Sequence, residues 1–499
     1  MPRRTIPSDR PELPLDAHSP VPLYKQLYER VREEIVAGQL PPGTRLPSTR
    51  TLASELGVSR GTTALAYDHL LLEGYLESRV GQGTRVSSEF PAKASAELLP
   101  GTSKPRAAPR QMPSLRIADR VSTLRMVPNL RSVEGRAGGA FRGGQPALDL
   151  FPYEVWGRLL ARQARRGLPA LSYYQPPAGY FPLREAIATH IGIARGVRCT
   201  PEQVIITAGT QGALDLAVRT LLNPGDAAWL EDPGYFGAQG ALRSGGAHLV
   251  PVPIDEQGLD VAIGRQLCPQ ARLVFTSPSH QFPTGVTMSL GRRLALLDWA
   301  QEAEAWILED DYDSEFRFGG RPLEALQGLD QTGRVLYVGT FSKVLFPALR
   351  LGYVVAPPPL IESLLIMRRF VDVHVPILEQ LALTDFIREG HYDRHLRRMR
   401  RHYRHRRELL HRELRHHLDG VLDVSLPEAG MHLVGWLPPG KDDRRAAALA
   451  DAVGITVAPV SAFSLEPLPR GGLIFGFAGI DEEEIRVGVR KLAAALDQF

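Results

Sequence analysis

The chain has 499 residues, 43% hydrophobic and 23% charged, with a formal net charge of +4. That length suits two or three domains with a large buried core, and the composition is ordinary for a soluble globular protein. Two cysteines, Cys199 and Cys268, exclude a disulfide framework and fit a reducing cytoplasm. No Cys/His spacing points to a metal, the N-terminus lacks a signal peptide's apolar core, and no apolar run is long enough to span a membrane.

Residues 20–38 have the period of a helix, with Leu23, Leu27, Val31 and Ile35 four apart and Gly38 as a stop. The loop LPPGTRLPS follows. Ser48 is placed to cap a second helix running through Leu56, Gly57 and Val58 make a tight turn, and Ser59 caps a third helix through Leu72. The stretch EGYLESRVGQGTRVSS then alternates and predicts a small hairpin. Helix, helix–turn–helix and hairpin together predict a winged helix-turn-helix over 18–88.

Such a motif reads DNA with the N-terminal end of its second helix in the major groove. Ser59, Arg60, Gly61, Thr62 and Thr63 stand there. Arg60 can reach guanine edges or phosphate, the hydroxyls can reach phosphate or base, and Gly61 lets backbone approach closely. Arg45, Ser48 and Arg50 flank the first helix of the pair, and Arg85 lies on the hairpin, where it suits a minor-groove or backbone contact. The pieces PPGTRLPSTRTLA, GVSR and GQGTRV resemble the GntR family of bacterial repressors along roughly 65 residues. The resemblance implies sequence-specific binding of double-stranded operator DNA, as a dimer.

From 89 to 137 prolines interrupt every pattern, and nine Lys/Arg stand against four Asp/Glu. This predicts a flexible basic linker. From 138 onwards the apolar runs VIIT (204–207), LVFT (273–276), WILE (306–309), VLYV (335–338) and LGYVV (351–355) alternate with helical patterns. That is the mark of an α/β sheet covered on both faces, with ligands at the strand ends.

Lys343, in GTFSKVLFPALRLG, is an odd place for a strongly hydrated ammonium, between two strand-like runs. Such an amine can form a Schiff base with an aldehyde cofactor. A pyridoxal 5'-phosphate site would also need a carboxylate at the pyridine nitrogen, for which Asp310 is placed at the end of WILED, and a donor to the phenolic oxygen, for which Tyr312 serves. Gly209, Thr210 and Gln211 open a helix and can cradle the phosphate with backbone N–H groups. Thr340, Ser342 and Arg350 add two hydroxyls and a guanidinium fork, and Tyr235 can stack on the ring.

In order, YYQPPAGYFPLREAI, TAGTQGALDL, EDPGYFG, SPSHQFPTG, EDDYDSEF and TFSK before LRLGY resemble the fold-type I aminotransferases across 138–499. By that resemblance Lys343 anchors the cofactor and Tyr174 reaches the phosphate of a partner subunit. A GntR-type winged helix joined to such a domain resembles the MocR subfamily. The combination implies an α/β chain: winged helix-turn-helix, linker, and an aminotransferase-like effector domain with a large, mostly parallel sheet and a small C-terminal domain. It also implies a head-to-tail, domain-swapped homodimer that senses an amine, an amino acid or pyridoxal phosphate itself.

Two departures bear on chemistry. Phe282 stands where many aminotransferases have an asparagine on the phenolic oxygen, leaving His280 or Gln281 as substitutes. Ile474 stands where they carry the arginine that clamps a substrate carboxylate. An apolar side chain cannot pair a carboxylate, so the expectation is a regulator rather than an enzyme, with a half transamination reaction still open. A functional aminotransferase with an attached DNA-binding module is the alternative. Residues 391–417 carry ten arginines and seven histidines, which predicts a solvated basic helix or a second DNA-facing surface.

Overall fold

The computed structural model describes residues 15–79, 83–88, 117–125, 127, 139–166, 171–319, 324–497 and 499. They fall into two compact units, divided between Leu115 and Arg116. The turn of the expected hairpin (80–82) and most of the expected linker (89–137) lie outside the described residues.

In the first unit, helices α1 (Leu23–Val36), α2 (Thr49–Leu56) and α3 (Arg60–Leu72) precede strands β1 (Leu76–Arg79) and β2 (Gly83–Val86). The every-fourth pattern of α1 buries Leu27, Val31 and Ile35 against Leu52, Ala66, Tyr67 and Leu70. Side-chain oxygens of Ser48 and Ser59 accept from Thr51 N and Thr62 N, each at 3.1 Å, so two orphan helix donors are satisfied. Gly57 closes α2 in the left-handed conformation that a residue with a Cβ resists (φ 64°). Strands β1 and β2 pair antiparallel, with Glu77 opposite Arg85.

A further helix, Asp119–Arg125, belongs to the second unit and packs on the helix Phe236–Ser244. It lies within the stretch expected to be linker, in a proline-free interval between Pro113 and Pro128.

The second unit is built on an eight-stranded sheet: β3 (Val204–Thr207), β10 (Gly352–Val355), β9 (Val335–Thr340), β8 (Trp306–Asp311), β7 (Leu273–Thr276), β4 (Ala227–Asp232), β5 (His248–Asp255) and β6 (Gly258–Leu259), in that spatial order. Strands β9, β8, β7, β4 and β5 run parallel. Strand β10 is antiparallel to both its neighbours, β9 and β3, and β6 is antiparallel to β5. Continuous apolar runs are buried on both faces: Ile307 packs in one cluster and its neighbour Leu308 in another. A four-stranded antiparallel sheet of β11 (Asp423–Val424), β12 (His432–Trp436), β14 (Gly472–Gly476) and β13 (Ala458–Pro459) forms the smaller C-terminal part. Among the described residues, no helix is long and apolar enough to cross a membrane.

The basic stretch is one helix, His391–His417. It is not solvated all round. Tyr392, Leu396, Met399, Tyr403, Leu410 and Leu414 are buried on one face, which packs against the helix Glu482–Leu496. Two of its arginines are buried as well: Arg406 donates to Ala478 O at 2.5 Å and Arg407 to Pro427 O at 2.7 Å, the latter lying over the Phe318 ring.

Candidate functional site

The reader unit presents Arg45, Ser48, Arg50, Ser59, Arg60 and Gly61 as exposed residues, with Thr62 half-buried. Arg45 and Arg85 come together at an antiparallel bridge between the loop and the wing. Arg85 also donates to Gly43 O at 3.2 Å, so the wing is tied to the loop before α2. Thr63 corrects the sequence expectation. It is fully buried, and its hydroxyl is spent on Thr49 O (2.8 Å) and Arg60 O (3.0 Å), where it fastens α3 to the start of α2 and cannot meet DNA.

In the second unit, the topology gathers loops at one edge of the sheet. Asp310 lies near the end of β8, Lys343 follows β9, Gly209 follows β3, Arg350 precedes β10, Tyr235 follows β4 and His280 follows β7. Gly352 stands opposite both Thr207 and Thr340, and a Cβ there would lie 2.9 Å from Gly209 Cα, so this crossing point admits only glycine.

Lys343 Nζ donates to Gly144 O at 2.9 Å. Burial lowers its pKa from the ordinary lysine range, opposed by the Asp313 and Asp310 carboxylates and helped by Arg350 and Arg142. Asp310 is buried, and among the described residues its Oδ1 has no hydrogen-bond partner. Its pKa is pushed well above the carboxylate range by burial, and further by Asp311, Asp313 and Glu231; Lys343 opposes the shift. A buried carboxyl oxygen without a hydrogen-bond partner is costly.

Tyr312 Oη lies 3.0 Å from His280 Nδ1, which also lies 3.1 Å from Asp313 Oδ2. Burial and the nearby Asp313 and Asp310 hold the Tyr312 phenol protonated. Tyr235 is pushed up to about 12 by burial and by Asp310, and its ring meets Phe282 edge-on at 6.3 Å. Gln281, the other substitute expected on the phenolic oxygen, is instead spent on Glu231, Pro233 and Thr284.

Arg350 takes a left-handed backbone (φ 51°) and donates to Ala208 O at 2.9 Å. A Cβ at Gly209 would lie 3.2 Å from its Nη1. The guanidinium is therefore laid across the first turn of the helix Gly209–Leu221, whose free N–H groups favour an anion. Thr340 Oγ1 accepts from Ser342 N at 3.2 Å, and Ser342 Oγ is buried without a partner among the described residues. The side chain of Gln211 is turned to Gly237 O at 3.0 Å. Tyr174 stands apart from this group, 87% exposed, with His374 as its ring neighbour.

Sequence reasoning missed two residues. His432, on β12, brings its ring centroid within 4.9 Å of His280, and burial, then His280, pushes its pKa down to about 3. His280, Asp313 and His432 each offer one ligand atom within 4.8 Å of the others. No local motif marks His432, because it arrives from a different sheet. Gly144 is the second, reaching Lys343 from a segment before the sheet begins.

A family model described as "Aminotransferase class I and II" matches residues 154–492, and one described as "Bacterial regulatory proteins, gntR family" matches residues 23–86. The probable rhizopine catabolism regulatory protein MocR of Rhizobium meliloti is 43% identical over 97% of this chain and 95% of its own. The pyridoxine biosynthesis transcriptional regulator PdxR of Corynebacterium glutamicum is 31% identical over 97% of this chain and 98% of its own. Among solved structures, the α-aminoadipate aminotransferase LysN of Thermus thermophilus, complexed with N-(5'-phosphopyridoxyl)-L-leucine, matches with a TM-score of 0.67 at 31% identity, over 76% of this chain and 95% of that one.

Proposed function

Because this chain belongs to the MocR subfamily of GntR-type transcriptional regulators, we propose that it controls promoter binding through pyridoxal 5'-phosphate held beside Lys343. Residues 18–88 bind operator DNA, 89–137 link, and 138–499 sense. The effector is an amine, an amino acid or the cofactor itself.

One observation carries the cofactor assignment: the buried Asp310 Oδ1 has no partner among the described residues and lies within electrostatic reach of the Lys343 amine. A protonated pyridine nitrogen is the donor that carboxylate lacks. The other residues fit the same group. Ser342, Arg350 and the helix end at Gly209 suit a phosphate, Tyr312 suits the phenolic oxygen, and Tyr235 suits the ring face. When bound, the cofactor supplies an aldehyde that captures amines and a ring that withdraws electrons.

The chain's own residues set the rest. Burial keeps a larger share of Lys343 as the neutral, nucleophilic amine. Asp310 holds a proton at the ring nitrogen, and Tyr312, oriented by His280, donates from its phenol. Tyr174 reaches the pocket of a partner subunit in a domain-swapped homodimer, for which its 87% exposure leaves it available. An effector that prefers one of two conformations of this unit shifts their populations and so changes how two winged helices address two half-sites.

The test is selection of binding duplexes from a random pool, followed by anisotropy titration with and without pyridoxal phosphate, for the parent and Lys343→Ala. The proposal expects operator affinity to depend on the cofactor in the parent only. Affinity indifferent to the cofactor, to added amines and to the substitution would overturn it.

A further inference from the structure

Three ionisable side chains meet where the eight-stranded and four-stranded sheets touch. His280 stands in the loop after β7, Asp313 follows the end of β8, and His432 opens β12. They are 2%, 1% and 2% exposed, and each offers a ligand atom within 4.8 Å of the others. Two imidazoles and a carboxylate are a donor set for a divalent ion of the zinc class. Bonds of about 2.0–2.2 Å to such an ion set its ligand atoms roughly 3.3–3.6 Å apart. His280 Nδ1 already lies 3.1 Å from Asp313 Oδ2, so little movement separates this cluster from a coordination shell.

The imidazoles are prepared for that role. His432 Nε2 donates to Pro283 O at 3.0 Å, which leaves the lone pair on Nδ1; a carbonyl behind a ligating histidine fixes its tautomer in this way. Burial, then His280, pushes the His432 pKa down to about 3, so the ring is neutral, the form that ligates. His280 Nδ1 faces Asp313 and, at 3.0 Å, Tyr312 Oη, while its Nε2 is buried without a partner among the described residues. The protein thus leaves one nitrogen of this ring unused. Backbone holds the ring in place: a Cβ on Gly430 would collide with His280 Cε1, and one on Gly285 would lie 3.4 Å from Nε2. Charge points the same way, since Asp311, Asp313 and Glu231 all press on the buried Asp310.

We propose that His280, Asp313 and His432 form a buried site for a zinc-class divalent ion, which clasps the four-stranded sheet to the eight-stranded one. The ligands come from three separate segments, so no Cys/His spacing in the sequence announces them. Three protein ligands leave a fourth position for water. Tyr312, beside His280, makes the site adjoin the cofactor pocket without depending on it.

The experiment uses the full chain, stripped with a chelator and titrated with Co2+ and then Zn2+. Pyridoxal phosphate is left out, so the result is independent of the Lys343 reading. The parent is compared with His432→Gln and Asp313→Asn. Because residues 391–417 carry seven histidines, a surface control replaces the exposed His416 and His417 together by glutamine. The parent is expected to retain one ion per chain through gel filtration, to show the strong visible absorption of four-coordinate cobalt, and to melt several degrees higher with zinc, as a ligand of the folded state alone produces. All three signals are expected to be lost in His432→Gln and Asp313→Asn and kept in the surface control. A parent that takes up no ion at micromolar concentration, binding that survives in His432→Gln, or binding that disappears with the surface control would overturn the proposal. If circular dichroism shows that neither buried variant folds, the parent and the surface control decide. The weak absorption of six-coordinate cobalt in the parent then overturns the site, and the strong band kept in the surface control supports it.

Discussion

Gly144 O accepts a hydrogen bond from Lys343 Nζ across 199 residues of sequence. The glycine adopts φ +71°, and a Cβ there would lie 2.8 Å from the same Nζ. Gly144→Ala therefore strains the backbone and pushes the lysine aside. The expected cost is about 1–3 kcal/mol of stability, together with slower binding of pyridoxal phosphate. Urea unfolding and the rise of the visible band measure the two effects separately.

Asp310→Asn keeps the shape of the side chain and removes its ability to ionise. Without cofactor the carboxylate has an unsatisfied buried oxygen, so the variant should be as stable as the parent or gain about 1 kcal/mol. Its affinity for pyridoxal phosphate should fall by roughly tenfold or more, because a charge-assisted hydrogen bond is lost. Equilibrium dialysis checks the affinity. Equal affinity in both proteins would remove Asp310 from the cofactor site.

The lowered pKa of Lys343 has a kinetic signature. The rate of cofactor association should rise with pH and level off below the ordinary lysine pKa of about 10.4. Stopped-flow absorbance between pH 6 and 11 gives the midpoint. Lys343→Ala should show no band at any pH.

Glu315 lines a cavity of about 10 Å³ with His190, Tyr353 and Tyr392, and its Oε2 has no partner among the described residues. Burial, then the neighbouring Asp311, raises its pKa to about 8. The folded state thus holds a proton that the unfolded chain releases near pH 4.5. The stability this contributes is complete below about 4.5 and is lost as pH rises towards about 8. Glu315→Gln should match the parent at pH 5 and exceed it by on the order of 2 kcal/mol at pH 8.5. Denaturant midpoints at both values decide it.

In the reader, Arg60→Ala should weaken specific DNA binding by about 1–3 kcal/mol with no change in melting temperature. Thr63→Val should do the reverse, since its hydroxyl serves the Thr49 and Arg60 carbonyls. The expected loss is about 1–2 kcal/mol of stability with operator affinity nearly intact. Anisotropy titration and thermal unfolding of both variants separate contact from scaffold.

Local patterns in the chain determined most of the elements. The every-fourth apolar spacing from Leu23 and the two capping serines delimit α1 to α3. The runs VIIT and LVFT are β3 and β7, residue for residue. The strand-end positions of Asp310 and Lys343 were legible because strand, turn and side chain lie close together in sequence. Only the tertiary structure decided what depends on distant segments. It brings Gly144 to Lys343 and His432 to His280, and it buries Thr63 against another helix. It also divides the arginines of 391–417 between carbonyl partners inside and solvent outside. Periodicity reports which face of one element is apolar. It carries no information about which donor or charge a remote segment will set against that face, and the pocket is made of such encounters.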